Sequence, residues 1–153
     1  MDDLDTIDRK ILSILEDNGR ISNTDLADEV GLTPAPCLRR VRRLEEEGYI
    51  QKYTAVLNPN KVGRNLMVFV MVTLDRQTKA GYDRFAQAIC RHPEVLECHL
   101  LLGDRDFLLK IRVPDLASYQ QFYLKHLTTP EGIRHITSLI VIQEEKGTLK
   151  LLP

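Results

Sequence analysis

Cysteine is scarce in this sequence: Cys37, Cys90 and Cys98 form no CxxC pair and leave one thiol over under any pairing. A disulfide framework is a poor fit, and a reducing compartment suits the chain. Cys90, His92, Cys98 and His99 are residue types that ligate metals, but on a strand Cys98 and His99 point to opposite faces and cannot share one ion. No metal is expected. No apolar run approaches the ~20 residues of a membrane span. The opening Met1-Asp2-Asp3-Leu4-Asp5 is acidic where a secretory leader is basic, so a cytoplasmic protein without a membrane partner is expected. There is no glycine-rich phosphate loop, and no serine, cysteine or histidine is placed to form a nucleophile–base set, so neither an enzyme nor a cofactor is expected. An excess of one charge is missing too: 21 Lys and Arg face 22 Asp and Glu, for a net charge of −1.

A hydrophobic content of 43% with 28% charged residues describes an ordinary globular chain, and 153 residues suffice for one domain or two small ones. Charge becomes informative only locally. Residues 1–60 carry eight basic and twelve acidic residues, yet Arg39, Arg40, Arg42 and Arg43 fall within five positions. A nearly neutral protein with one dense basic spot binds DNA through that spot rather than through a general cationic surface.

The first third reads as three short helices. Leu4, Ile7, Ile11, Ile14 and Leu15 recur at helical spacing behind the capping residue Asp5. Ser22 caps a second helix, with Asp25 three residues on and Gly31 at its end. Thr33 caps a third, with Pro34 at its first position. Cys37, Leu38, Val41 and Leu44 form its buried stripe, which leaves Ala35, Pro36, Arg39, Arg40 and Arg43 as the outward surface, with Arg42 ambiguous. This is the helix-turn-helix plan. The third helix also has its charges the wrong way round for stability: Glu45, Glu46 and Glu47 crowd the C-terminal end, where the macrodipole prefers cations. Pairs Arg42–Glu46 and Arg43–Glu47 are available, but in the weaker orientation. A helix that turns cations toward DNA has this layout. Arg39 and Arg40 are the candidates for base edges or nearby phosphates and Arg43 for phosphate. Ala35 and Pro36 suit thymine methyls, and the caps Ser22 and Thr33 are counted with this set.

The expected division is a helix-turn-helix domain over 1–49, a strand-containing linker over 50–63, and a second domain over 64–153. Within the last, strands at 65–75, 95–102, 106–113 and 133–145 alternate with helices at 81–91 and 115–127. The order βαββαβ predicts an α+β, ferredoxin-like antiparallel sheet with both helices on one face. Its first strand is apolar on both faces: Leu66, Val68 and Val70 on one, Met67, Phe69 and Met71 on the other. The last strand repeats this, with Ile136, Ile140 and Ile142 opposite Leu139 and Val141. Helices cover only one face, so a sister sheet from a second copy is expected on the other; coverage by residues 1–57 is the alternative. Between two strands, Gly103-Asp104-Arg105-Asp106 reads equally as a hairpin turn with Gly103 at positive φ or as a site whose N–H groups and carboxylates hold a free amino acid.

Several segments together resemble the Lrp/AsnC (feast/famine) regulators, closest to the leucine-responsive type. They are Leu4-Asp5-Thr6-Ile7-Asp8-Arg9, Gly19-Arg20-Ile21-Ser22-Asn23, Pro34-Ala35-Pro36-Cys37-Leu38-Arg39-Arg40-Val41-Arg42-Arg43-Leu44-Glu45, Glu97-Cys98-His99-Leu100 and Gly103-Asp104-Arg105-Asp106-Phe107-Leu108-Leu109-Lys110. The resemblance implies a transcription regulator that binds double-stranded DNA, dimerises through the βαββαβ domain and builds octamers. It also implies an amino-acid effector held between dimers beside Gly103, Asp104 and Asp106. Leu101 leads into that turn and Ser138, or Thr137, comes from the last strand. Leu101 and Leu102 stand where smaller or hydroxylated residues are common. Rival readings are a nucleoid-organising protein with no effector and a metabolic enzyme or stand-alone binding module of ferredoxin-like fold.

Overall fold

A computed structural model describes residues 4–128, 132–147 and 150–151. Met1, Asp2 and Asp3, whose acidity bore on the leader, lie outside them. The chain divides into two compact units, Met1–Val56 with Lys146–Pro153, and Leu57–Glu145. The tail therefore groups with the first unit, where the sequence reading kept it with the second domain: Lys150 pairs with Asp17 at 2.7 Å, and the Leu151 N–H donates to Glu16.

The first unit is three helices: α1 (Thr6–Asp17), α2 (Asn23–Val30) and α3 (Pro34–Glu46). Their starts are where the capping residues put them. Asp5 accepts from the Asp8 N–H while Asp8 returns the bond to the Asp5 N–H, a reciprocal capping box. Ser22 accepts from the Asp25 N–H, and Gly31 leaves α2 at φ 74°, a conformation costly for a side chain with Cβ. Ile11, Leu12, Leu26, Ala27, Val30, Cys37 and Leu44 close the core. Leu38 departs from its expected place in that stripe and is exposed, because the stripe centres on Cys37 and Leu44 and Leu38 falls at its edge.

Past α3 the expected linker strand is absent: residues 51–57 form no strand. A strand needs a partner, none of the described residues supplies one, and Tyr53, Val56 and Leu57 stand exposed.

The second unit is β1 (Leu66–Leu74), α4 (Lys79–Cys90), β2 (Val95–Leu100), β3 (Phe107–Val113), α5 (Leu116–Phe122) continued by a π-helical turn (Tyr123–Leu127), and β4 (Ile133–Ile140). The sheet is antiparallel in the order β2-β3-β1-β4, the ferredoxin-like arrangement. β4 ends at Ile140, short of the expected Glu145. Val68, Val70 and Val72 on the central strand pack with Phe85 and Ile89 of α4 and Tyr119 and Phe122 of α5, so both helices share one face. Each such buried side chain contributes about 1.5–3 kcal/mol. The other face carries Met67, Phe69 and Met71 of β1, Leu108 of β3 and Leu139 of β4, and among the described residues of this unit no helix packs on it.

Beside the helical face, the rings of His92 and His126 lie 3.9 Å apart and Phe122 closes on both. Burial, then His92, Lys125 and Arg91, hold His126 below its usual value of 6.5, with Glu94 opposing. A depressed folded value means that this contribution to stability is present above 6.5 and is lost as pH falls through the folded value. The urea midpoint of the protein is expected to drop between about pH 7.5 and 5.5, and His126→Gln to flatten that slope. Equal slopes for both proteins refute the assignment.

Candidate nucleic-acid interface and effector turn

Asp8 decides how the arginines of α3 are used. It follows Ile7 and shares a face with Ile11 and Leu12, and its side chain is 1% exposed. A carboxylate that is dry on an apolar face must be paired or it shifts to the neutral form. Arg40 donates to Asp8 at 2.8 Å and to Asp5 at 2.6 Å, and Arg43 also donates to Asp8. Asp5 is held below the usual carboxylate range by the Asp8 N–H and then by Arg40, whose own value is raised by Asp8 and Asp5. Arg43 lies within 3.8 Å of Glu47 as well, the pair foreseen along the helix.

This corrects the expected outward set. Arg40 and Arg43 are half-buried clamps between α1 and α3 rather than free cations, because Asp8 needs both. The outward stripe is Ala35, Arg39 and Arg42, all exposed and spaced i, i+4, i+7 on one face. Arg42, ambiguous in sequence, belongs there, and exposed Leu38 flanks it. Pro36 is half-buried, while Ser22 and Thr33 are exposed at the starts of α2 and α3. Thr33 makes no capping bond with its side chain. Asn23 donates to the Pro34 carbonyl at 2.9 Å and so ties the start of α2 to the start of α3. The signal for the clamp was present in the sequence: an aspartate inside the apolar stripe of α1 demands an arginine from somewhere.

The β2–β3 connection is held from behind. The Leu101 N–H donates to the Asp106 carbonyl at 2.8 Å and the Asp106 N–H to the Val72 carbonyl at 2.9 Å. The Asp106 carboxylate, 3% exposed, accepts from the Leu74 N–H at 2.7 Å and the Tyr82 hydroxyl at 3.2 Å. Burial and then Asp106 raise the Tyr82 value. Asp106 is thus engaged inside the fold, which corrects its expected placing as a ligand group. Leu101, Gly103 and Asp104 are exposed. Gly103 does not adopt the positive φ expected of it, and a Cβ added there meets nothing within 4 Å. Neither backbone nor crowding among the described residues requires a glycine at 103.

Ser138 is not brought to this turn. It lies opposite Val70 with β1 between β4 and β3, so two interstrand spacings, about 10 Å, separate it from β3, and the turn lies further along, beyond the Val72–Phe107 pair. Its hydroxyl meets the Tyr119 hydroxyl at 2.5 Å under α5. Thr137 sits on the other face, opposite Met71.

A helix-turn-helix unit with an outward cationic stripe, followed by a βαββαβ unit, defines a two-domain DNA-binding regulator. Family models agree: one described as winged helix-turn-helix DNA-binding matches residues 4–51, and one described as Lrp/AsnC ligand binding domain matches residues 67–151. The chain belongs to the Lrp/AsnC family of transcription regulators. It is 45% identical over 150 residues to the leucine-responsive regulatory proteins of Escherichia coli K12 and Klebsiella pneumoniae, covering 98% of this chain and 92% of theirs. Among solved structures, a Neisseria meningitidis transcriptional regulator in complex with L-Met superposes with a TM-score of 0.92 at 38% identity. An AsnC family regulator of Agrobacterium tumefaciens gives 0.92 at 37%; each match covers 97% of this chain and 96% of the other.

Arg40→Ala leaves Asp8 with Arg43 alone. Removing one partner of a fully buried pair costs 3–5 kcal/mol; with Arg40 28% exposed and Arg43 retained, a loss of about 1–3 kcal/mol is expected from urea unfolding. Adding Asp8→Asn to Arg40→Ala should recover part of that loss. An unchanged midpoint in the single variant contradicts the clamp.

Proposed function

We propose that the exposed stripe Ala35, Arg39 and Arg42 is the reading face of α3, and that the protein regulates transcription by placing two such helices in successive major grooves. The partition of the arginines carries this reading: two are spent on Asp8, and the two that remain free share one face with a small apolar residue. Arg39 and Arg42 suit guanine edges or phosphates, Ala35 and Leu38 suit thymine methyls, and Ser22 and Thr33 suit phosphates at helix starts. Symmetric half-sites one helical turn apart, roughly 34–36 Å, follow from a two-fold dimer. The apolar second face of the sheet supports that homodimer: Phe69, Met71, Leu108 and Leu139 are side chains a second copy can cover. Assembly of dimers toward octamers, a cytoplasmic location and the lack of enzymatic activity complete the reading.

The second domain senses a free amino acid. The L-Met in the Neisseria structure and the leucine response of the enteric relatives support that class of effector. Asp104 is the free carboxylate beside the turn and suits an α-ammonium group, and open space at Gly103 lets a ligand approach the backbone. Ser138 reaches such a ligand only from another copy of the chain, so binding couples to assembly.

Arg39→Ala and Arg42→Ala are each expected to weaken operator affinity about 5- to 150-fold, or about 1–3 kcal/mol, and to lower the salt slope by about 1 where the contact is a phosphate. Urea midpoints should not move. Full affinity in both variants overturns the reading face. Saturating L-Met or L-Leu is expected to shift operator affinity or the sedimentation profile, and Asp104→Ala to abolish the shift. If none of the proteinogenic amino acids moves either quantity, the sensing role is wrong.

A further inference from the structure

The second unit has four half-buried cations, Arg64, Arg105, Lys110 and Arg112, among its described residues. Three of them are answered. Lys110 pairs with Glu97 at 2.9 Å, Arg112 with Glu144 at 2.9 Å, and Arg64 donates to the Arg112 carbonyl at 3.1 Å. Arg105 is the exception: among the described residues its one partner is the Thr73 hydroxyl, at a long 3.4 Å. Of the carboxylates that flank it in the chain, Asp106 is committed to the Leu74 N–H and Tyr82 and Asp104 stands exposed in the turn. A guanidinium drawn partly out of water without an acceptor of opposite charge is costly, and a small anion is the partner that removes the cost.

What surrounds Arg105 fits such a partner. Thr73 shares the second face of the sheet with Phe69 and Met71, and its cross-strand partner on β4 is His135. Two residues along the same face, the Thr137 hydroxyl lies 3.2 Å from His135 Nε2. Arg105, Thr73 and His135 thus form a polar row from the lead-in of β3 across β1 to β4. The row closes one end of a face that is otherwise apolar at Phe69, Met71, Leu108 and Leu139, and it borders the turn that begins at Leu101. Because Thr73 accepts from Arg105, its own hydroxyl proton is free to donate.

We propose that this row is a carboxylate-binding site, and that it takes the α-carboxylate of the amino acid that the domain senses, a step that rests on the sensing role proposed above. Arg105 supplies a planar fork matched to the two oxygens of a carboxylate, and Thr73, His135 and Thr137 add neutral donors. One guanidinium balances the single charge of a carboxylate, whereas a phosphate monoester brings nearly two. Asp104, the residue before Arg105, is left for the ammonium end. The two ends of a zwitterion are then read by adjacent residues of one turn, and the side chain of the ligand is read elsewhere.

The test is calorimetric titration of the full chain with four probes: L-Met, methylthiopropionate (which lacks the amine), L-methioninamide (which lacks the carboxylate) and inorganic phosphate. L-Met and methylthiopropionate are expected to bind the wild-type chain, with L-methioninamide and phosphate at least about 10-fold weaker than L-Met. Arg105→Gln is expected to weaken both carboxylates about 10-fold or more, and Arg105→Lys, which keeps the charge without the fork, to recover part of that loss. The amide and phosphate arms use only the wild-type chain, so they decide the matter whether or not a variant folds. L-Met bound equally by wild type and Arg105→Gln, an amide or phosphate bound as tightly as L-Met, or no binding of either carboxylate overturns the site. Failure of the sensing role has a different signature: both carboxylates bind through Arg105, yet neither operator affinity nor sedimentation moves. If L-Met shifts operator affinity equally in wild type and Arg105→Gln, the sensing role stands and this site is wrong.

Discussion

The buried carboxylate of Asp8 is the constraint on which the DNA-facing half depends. It forms half of the box that starts α1, and it sits on the face that α1 turns toward α3. Stripped of water, it is tolerable only with cations of its own, and α3 supplies two. That requirement acts together with the buried Cys37 and Leu44 in fixing the rotation of α3 about its axis. With Arg40 and Arg43 turned toward α1 and Cys37, Val41 and Leu44 toward the core, the positions one residue back from the two arginines, Arg39 and Arg42, are left facing outward. Cys37 and Leu44 hold the inner face of the helix, and the ion pairs place Arg40 and Arg43 against α1 beside it. A buried ion pair is a weak source of net stability compared with an apolar replacement, so the natural role for this one is orientation.

The helices and their caps were legible because they are local. Asp5, Ser22 and Thr33 precede apolar periodicity, and Gly31 follows it, and each signal needs only a few neighbouring residues. The βαββαβ order was legible for the same reason, since alternation with period two and helical period are both short-range. The arginine cluster is where the sequence misleads. Helical spacing turns Arg39, Arg40 and Arg43 outward and leaves Arg42 ambiguous, until a carboxylate 32 residues from Arg40 claims Arg40 and Arg43. Asp8 marks itself by standing in an apolar stripe, but its partner's identity is a tertiary fact.

The linker and the β2–β3 turn failed in instructive ways. Alternation over Tyr49–Leu57 suggests a strand, yet alternation reports only a preference for extended backbone, and the ladder needs a partner. Within the described residues there is none. At Gly103 the inference ran from residue type to backbone conformation, and the φ angle does not require glycine. Glycine has two uses, positive φ and close approach of another group to the backbone. With the first excluded, and no atom of the described residues within 4 Å of the missing Cβ, the backbone at Gly103 is open to approach, as the proposed sensing role requires.

The candidate effector residues divide by the same reasoning that divides the arginines. Asp106 and Asp104 stand two apart in one turn, but the first is committed to the Leu74 N–H and the Tyr82 hydroxyl. Taking a ligand's ammonium group would mean breaking bonds that join the turn to β1 and α4. Its contribution is to fix the turn before any ligand arrives, which lowers the ordering cost of binding. Asp104, exposed and outside that network, can exchange water for a ligand at little structural cost. Ser138 meets neither condition within one chain, being turned under α5 and two strands away. In the proposed sensing role, Asp104 and Ser138 would therefore have to come from different copies of the chain. On that proposal a bound ligand would report on assembly as well as on its own concentration, because the free energy holding it would be shared between chains.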